Sequence, residues 1–209
     1  MRKNTKQKLY LPDLKKLETF TYIEHNRLSD PLLKQWNINN DKEYTVNPAL
    51  NDKLANLYGP FIDEGYTAPL YVQWINKKIE YGAFADASIE RGQMICEYTG
   101  VVEREEPFNE DNLYLWDYPT ILYETRPGKK YRKKIVYCVN AEKYGNVGRF
   151  VNHSLKKYQN VGIQMIPRNN EWHVVYIALK PIKKDAQLLT NYGPAYWRDR
   201  KIIPFIIKP

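Results

Sequence analysis

At 209 residues and 24.8 kDa, with 43% hydrophobic residues, the chain fits one ordinary domain, or a domain with a flanking extension, and can bury a sizeable core. Two cysteines in apolar segments (Cys96, Cys138) and three scattered histidines (His25, His153, His173) argue against a disulfide scaffold and a zinc cluster, so no metal is expected. The net charge of +8 is uneven: residues 1–70 carry 10 Lys/Arg against 9 Asp/Glu, and residues 71–209 carry 22 against 15, which raises the expectation of an anionic partner such as nucleic acid.

The charged start at Met1-Arg2-Lys3 leads into no apolar stretch resembling a signal peptide. The longest strongly apolar run, Val174 to Leu179, is far too short to cross a bilayer. A soluble protein of a reducing compartment is expected, cytoplasmic and without membrane contact: nucleoid-associated, or exported to a host cell if the source is a pathogen.

The first seventy residues read as helical and polar. Leu14, Leu17 and Phe20, three apart, predict an amphipathic helix over Pro12 to Ile23. Asp30-Pro31 starts a short helix carrying Leu32, Leu33 and Trp36. Asn47-Pro48 caps a longer one with Leu50, Leu54 and Leu57, which Gly59-Pro60 is expected to close. No chemistry is legible in this region, and its apolar stripes are expected to pack against the domain downstream.

From Pro69 the texture changes to short β-branched and aromatic runs. Strands are predicted at Tyr71–Ile75, Met94–Tyr98, Ile135–Val139, Val161–Ile166, Trp172–Leu179 and Leu188–Tyr192. Turn signals fall at Ile89–Gly92, Arg168–Asn170 and Pro181–Asp185, and together they indicate a mostly β, non-parallel architecture. Residues 101–134 form an insert with sorted charge. Val101 to Thr125 holds seven acidic residues and one basic, and Arg126 to Lys134 holds six basic residues and no acid. Such runs are usually solvated faces; the sharper reading has the acidic arm attract a lysine-rich substrate segment and the Arg126–Lys134 loop touch nucleic acid.

Packing does not explain two short stretches. Arg149-Phe150-Val151-Asn152-His153-Ser154 crowds polar side chains around apolar ones, and buried polar groups cost about 1–3 kcal/mol each unless every donor and acceptor is paired. Asn191-Tyr192-Gly193 sets a phenol at a backbone turn after an apolar strand. Asn152-His153-Ser154 is also formally a glycosylation sequon, although nothing suggests secretion.

These stretches resemble the two signature segments of the SET-domain lysine methyltransferases, R-F-I-N-H-S and D-Y-G. The resemblance runs in family order from about Tyr71 to Gly193. Tyr81-Gly82-Ala83-Phe84-Ala85 is similar to the turn G-x-G-x-x-A, with Glu80 where the first glycine is usual. Next come Ile89-x-x-Gly92-x-x-Ile95-x-Glu97-Tyr98-x-Gly100 and Gly145-Asn146-x-x-Arg149-Phe150-x-Asn152-His153-Ser154, with Gln159-Asn160 near the usual P-N. Ile182 to Gly193 resembles I-x-x-G-E-E-L-x-x-D-Y-G, with Asp185, Ala186 and Gln187 in place of Gly-Glu-Glu and Asn191 in place of Asp.

The resemblance implies a β-clip SET fold: small sheets with a pseudoknot-like crossing that brings Asn152-His153 beside Tyr192. It implies a helical N-terminal extension (1–68), a SET domain (69–193, insert 101–134) and a short C-terminal cap (194–209). It implies S-adenosyl-L-methionine as cofactor, held by Tyr81, Gly82, Ala83, Phe84, Arg149, Phe150, Asn152, His153, Tyr192 and Trp197. Tyr192 would be the catalytic phenol, and Tyr98 would point into the channel for the substrate lysine. Thr190, two residues before Tyr192, is small and favours di- or trimethylation. Without cysteine-rich flanks the chain looks like the short SET proteins of bacteria and viruses, some of which modify histones or histone-like proteins. A lysine-rich protein is therefore the expected partner. A catalytically idle SET module that binds peptide or nucleic acid, and a DNA-binding protein led by the basic loop, remain as alternatives.

Overall fold

The computed structural model describes residues 7–17, 19–105, 112–125, 132–200 and 206–207, with only the backbone of 195, 199 and 200. Its N-terminal third alternates two-residue strands with helices: β1 (Lys8–Leu9), α1 (Leu11–Leu14), β2 (Thr21–Tyr22), β3 (Arg27–Leu28), α2 (Pro31–Lys34), α3 (Lys42–Val46) and α4 (Pro48–Asp63). The caps are those the sequence announces. Asp30 accepts from the Leu32 amide and Asn47 from the Leu50 amide, each with proline at the first helical position.

Two helix expectations fail here. The helix predicted over Pro12 to Ile23 stops at Leu14, because Thr21-Tyr22 is drawn out as a strand against Tyr144-Gly145. The Thr21 amide donates to the Lys143 carbonyl and the Ile23 amide to that of Gly145, both at 2.8 Å. A β-branched and aromatic run with a pairing partner overrides a helical spacing of leucines. Conversely, α4 runs through Gly59-Pro60 to Asp63. Pro60 removes one amide donor, but Ile62 is buried beside Tyr58, Met94, Ile166 and Val175, and Asp63 pairs with Arg168. Glycine at 59 leaves room for that pair: a Cβ there would lie 3.0 Å from Arg168 Nε.

The apolar stripes pack as expected only in part. Leu14, Leu33, Tyr58 and Ile62 are buried against the β-rich body, whereas Leu32, Leu50 and Leu57 face outward.

The remainder is mostly strand: β4 (Leu70–Asn76), β5 (Glu80–Ala85), β6 (Met94–Glu97), β7 (Val101–Arg104), β8 (Leu115–Thr125), β9 (Arg132–Asn140), β10 (Tyr144–Gly145), β11 (Asn152–His153), β12 (Val161–Arg168), β13 (Glu171–Ala178) and β14 (Leu189–Thr190), closed by α5 (Gly193–Arg200). All six predicted strands are present. Five more, β5, β7, β8, β10 and β11, went unread: β5 is centred on a glycine turn motif, β7 and β8 lie in the charged insert, and β10 and β11 are two residues long. In that insert β8 pairs antiparallel with β9, with Leu115 opposite Asn140 and Thr125 opposite Arg132. Residues 106–111 and 126–131 of the insert lie outside the described residues, and with them much of the acidic arm and most of the Arg126–Lys134 loop.

Among the described residues the strands form five small sheets: β1-β4-β5, β10-β2, β11-β14, β12-β13-β6 and β3-β7-β9-β8. The N-terminal strands are thus spliced into sheets built from later residues. The pairing that matters most is parallel, with Asn152 opposite Leu189 and His153 opposite Thr190. Asn160 staples it: its side chain donates to the Gln187 carbonyl and accepts from the Leu189 amide, both at 2.8 Å. The Ser154 amide adds a bond to the Thr190 carbonyl at 2.8 Å.

Candidate active site

The crossing of β11 and β14 opens onto a cleft of about 160 Å³. Its walls are the turn Lys78–Tyr81, the segment Leu113–Trp116, residues Gly148–His153, and the rings of Tyr98, Tyr176, Tyr192, Tyr196 and Trp197. Of the residues the resemblance nominates, Tyr81, Tyr98, Arg149, Phe150, Asn152, His153, Tyr192 and Trp197 all line this cleft.

Gly82, Ala83 and Phe84 do not. Ala83 is fully buried in the core, and Phe84 stacks on Tyr71 with ring centroids 5.4 Å apart. Gly82 lies just behind the wall, where a Cβ would meet Gln187 Nε2 and Ile75 Cδ1 at 2.6 Å and Asn152 Nδ2 at 3.0 Å. That space lets the Asn152 amide reach the Tyr81 carbonyl at 2.9 Å.

Two departures from the family pattern fall on left-handed backbone. Glu80 and Asp185, each where the family uses glycine, both have φ of 64°. A side chain there costs roughly 1–2 kcal/mol. Asp185 offsets this with bonds from Lys8 Nζ at 2.8 Å and the Tyr71 hydroxyl at 2.9 Å. A further departure, Asn191, accepts from the Gly193 amide at 2.8 Å and so holds the turn into α5.

Arg149 lies between two rings, its guanidinium carbon 4.3 Å from the Phe20 centroid and 4.1 Å from that of Tyr114. Its Nη1 donates to the Glu142 carbonyl at 3.0 Å, while the buried Nε has no acceptor among the described residues. The buried indole N–H of Trp197 is likewise unanswered among them. Orphaned buried donors are rare enough to require an explanation, and these two belong to residues that line one cleft.

Tyr192 sits at the centre. Its hydroxyl donates to the Val151 carbonyl at 2.7 Å, and its backbone amide donates to His153 Nδ1 at 3.2 Å. Rings of Trp116, His153, Tyr196 and Trp197 surround it, with centroids 4.7 to 6.0 Å away. Burial raises the Tyr192 pKa, and burial likewise raises those of Tyr98 and Tyr176, so all three phenols stay protonated. Burial lowers the His153 pKa, in keeping with a neutral imidazole that accepts at Nδ1. The site is therefore a largely neutral aromatic box whose hydroxyls act as hydrogen-bonding groups.

Sequence reasoning missed three walls of that box: Tyr114, Trp116 and Tyr176. The Tyr98 hydroxyl donates to the Tyr114 carbonyl at 2.8 Å, and Trp116 Nε1 donates to the Tyr176 hydroxyl at 3.1 Å. Tyr98 meets both Trp116 and Tyr176 edge to face at 6.1 Å. The one available signal was the count of 18 tyrosines, since tyrosine suits half-wet grooves, but count alone carries no position.

The family model for the SET domain matches residues 80–193, more than half of the chain. The chain belongs to the SET-domain family. This SET domain is homologous to histone-lysine N-methyltransferases at low identity. It is 29% identical over 124 residues to EZH2 of Chaetomium thermophilum (54% of this chain, 7% of the relative). It is 27% identical over 154 residues to Su(var)3-9 of Drosophila melanogaster (69% and 22%), and 32% identical over 114 residues to SUVH1 of Nicotiana tabacum (50% and 16%). The chain thus covers less than a quarter of the length of each. Among solved structures, ATXR5 in complex with histone H3.1 aligns over 88% of this chain and 86% of that one, with a TM-score of 0.61 at 18% identity, a likeness of fold. The mostly β SET fold with an N-terminal helical segment is the fold that the sequence motifs imply.

Proposed function

We propose that this SET domain is a protein-lysine N-methyltransferase that takes its methyl group from S-adenosyl-L-methionine and acts on a lysine-rich protein, histone or histone-like. What supports this most is the convergence of Asn152-His153 and Tyr192, the latter two thirty-nine residues apart, on one aromatic cleft with unanswered donors. The residues fit the cofactor: the Arg149 and Trp197 donors suit a ligand with a carboxylate and a purine. Tyr81, Arg149, Phe150, Asn152, His153 and Trp197 would hold it.

When bound, the cofactor supplies an electrophilic methyl group on sulfur. The chain's own part is to bind, orient and exclude water. Tyr98, Trp116, Tyr176 and Tyr192 wall a space in which an ammonium is poorly solvated, which favours the neutral, nucleophilic amine. Because the Tyr192 proton is committed to Val151, the phenol oxygen keeps only acceptor capacity, suited to orienting an amine N–H. Alignment of this kind is worth several kcal/mol of barrier.

The decisive test is incubation with methyl-labelled S-adenosylmethionine and a panel of lysine-rich proteins that includes histones. Label recovered as methyl-lysine is expected. Cofactor binding without transfer to any member would favour an idle binding module instead.

A further inference from the structure

Behind the cleft, on the β6–β13 pair, lies a buried ion pair that the proposed chemistry does not use. Glu97 and His173 are 3% and 6% exposed, with His173 Nδ1 2.8 Å from Glu97 Oε1. The other ring nitrogen, Nε2, faces the Arg168 carbonyl oxygen at 3.2 Å. Both nitrogens therefore meet acceptors. A neutral imidazole donates from only one, so this environment selects the imidazolium.

Glu97 Oε1 also accepts from Asn26 Nδ2 at 2.7 Å, while its Oε2 is buried with no partner among the described residues. Asn26 in turn accepts from the Gly100 amide at 2.9 Å, and Thr99 Oγ1 donates to the Ile23 carbonyl at 3.0 Å. The Glu97 carbonyl accepts from Asn146 Nδ2 at 2.7 Å, and Asn146 Oδ1 accepts from the Gly148 amide at 2.9 Å. Tyr98 and Gly148, both walls of the cleft, are thus tied to one carboxylate and its backbone.

We propose that Glu97 is a positioning residue: with His173 as imidazolium and Asn26 from the N-terminal segment, it fixes Tyr98 and the Gly148 turn against the substrate amine. The proposal rests on the methyltransferase reading of the cleft. Glu171, whose carboxyl is raised mainly by burial, and Asp63 on α4 also act on this pair electrostatically, and His25 acts on Glu171. Burial disfavours charge on His173, but Glu97 and the Arg168 carbonyl outweigh it, and the pKa is raised.

The test combines ¹⁵N NMR of the histidine rings with kinetics. In the wild type, His173 should carry protons on both nitrogens at pH 7. In Glu97→Gln its pKa should fall below the ordinary histidine value, since the burial then acts without a counter-charge. Both Glu97→Gln and the milder Asn26→Ala should lower kcat at least ten-fold with substrate KM within three-fold. A neutral His173 in the wild type, or wild-type kcat in Asn26→Ala, overturns the proposal. If Glu97→Gln does not fold, the wild-type spectrum and Asn26→Ala still decide. A doubly protonated His173 in a protein that methylates no lysine would instead overturn the reading of the cleft.

Discussion

Replacing Tyr192 with phenylalanine removes one oxygen and one hydrogen bond, that to the Val151 carbonyl at 2.7 Å. Val151 is 1% exposed, and its carbonyl loses the donor that satisfies it, at a cost of about 1–3 kcal/mol. The ring keeps its aromatic neighbours, and the amide bond to His153 is untouched. At about 2–4 °C per kcal/mol for a chain of this size, the melting temperature should drop by about 2–12 °C and the fold should survive. Cofactor affinity, which rests on other walls, should stay within a few-fold. The rate should not: losing a preorganised polar group at the reacting centre costs about 10²–10³ in kcat. Methyl incorporation, calorimetric cofactor titration and a thermal melt on the same preparation separate these effects. Full turnover by Tyr192→Phe on any substrate would remove this phenol from the mechanism.

The raised His173 pKa means that the folded state binds its proton more tightly than the unfolded chain, so this stability is fully present below pH about 6.5 and is lost as pH rises through the folded value. Urea denaturation between pH 6 and 9 should show this alkaline decline, and His173→Gln should flatten it; an unchanged slope contradicts the charged pair. Glu80→Gly relieves a left-handed side chain that lacks, among the described residues, bonds of the Asp185 kind, and should stabilise by about 0.5–1 kcal/mol. Asp185→Gly gives up the Lys8 and Tyr71 bonds and should gain nothing. Equal gains from both in chemical melts would refute that distinction. Mass spectrometry of the product at saturating cofactor should show di- or trimethyl-lysine, in line with the small Thr190; purely monomethyl product would oppose it.

Much of the site was legible because it is written in contiguous motifs. Asn152, His153 and Tyr192 could be nominated from two short strings, and their meeting rests on the parallel β11–β14 pair. What could not be read is what depends on pairing across distance. Trp116 and Tyr176 reach Tyr98, and bond to each other, from two different sheets, β3-β7-β9-β8 and β12-β13-β6. The N-terminal helix was over-read for the same reason: Thr21-Tyr22 finds its partner at Tyr144-Gly145, more than a hundred residues on. Glycine-turn motifs also mislead in detail, since Gly82 serves the passage of Asn152 and not the wall itself. Glu80 and Asp185 look like erosions of the motif in the sequence, yet the backbone keeps the glycine conformation at both.

The most direct measurement is calorimetric titration of S-adenosylmethionine into the intact chain and into Asn152→Ala. Micromolar binding is expected for the former, with at least ten-fold weakening in the variant, because the Asn152 bond to the Tyr81 carbonyl shapes the cleft wall. No heat of binding to the intact, folded chain would contradict a methyl-donor pocket at this crossing.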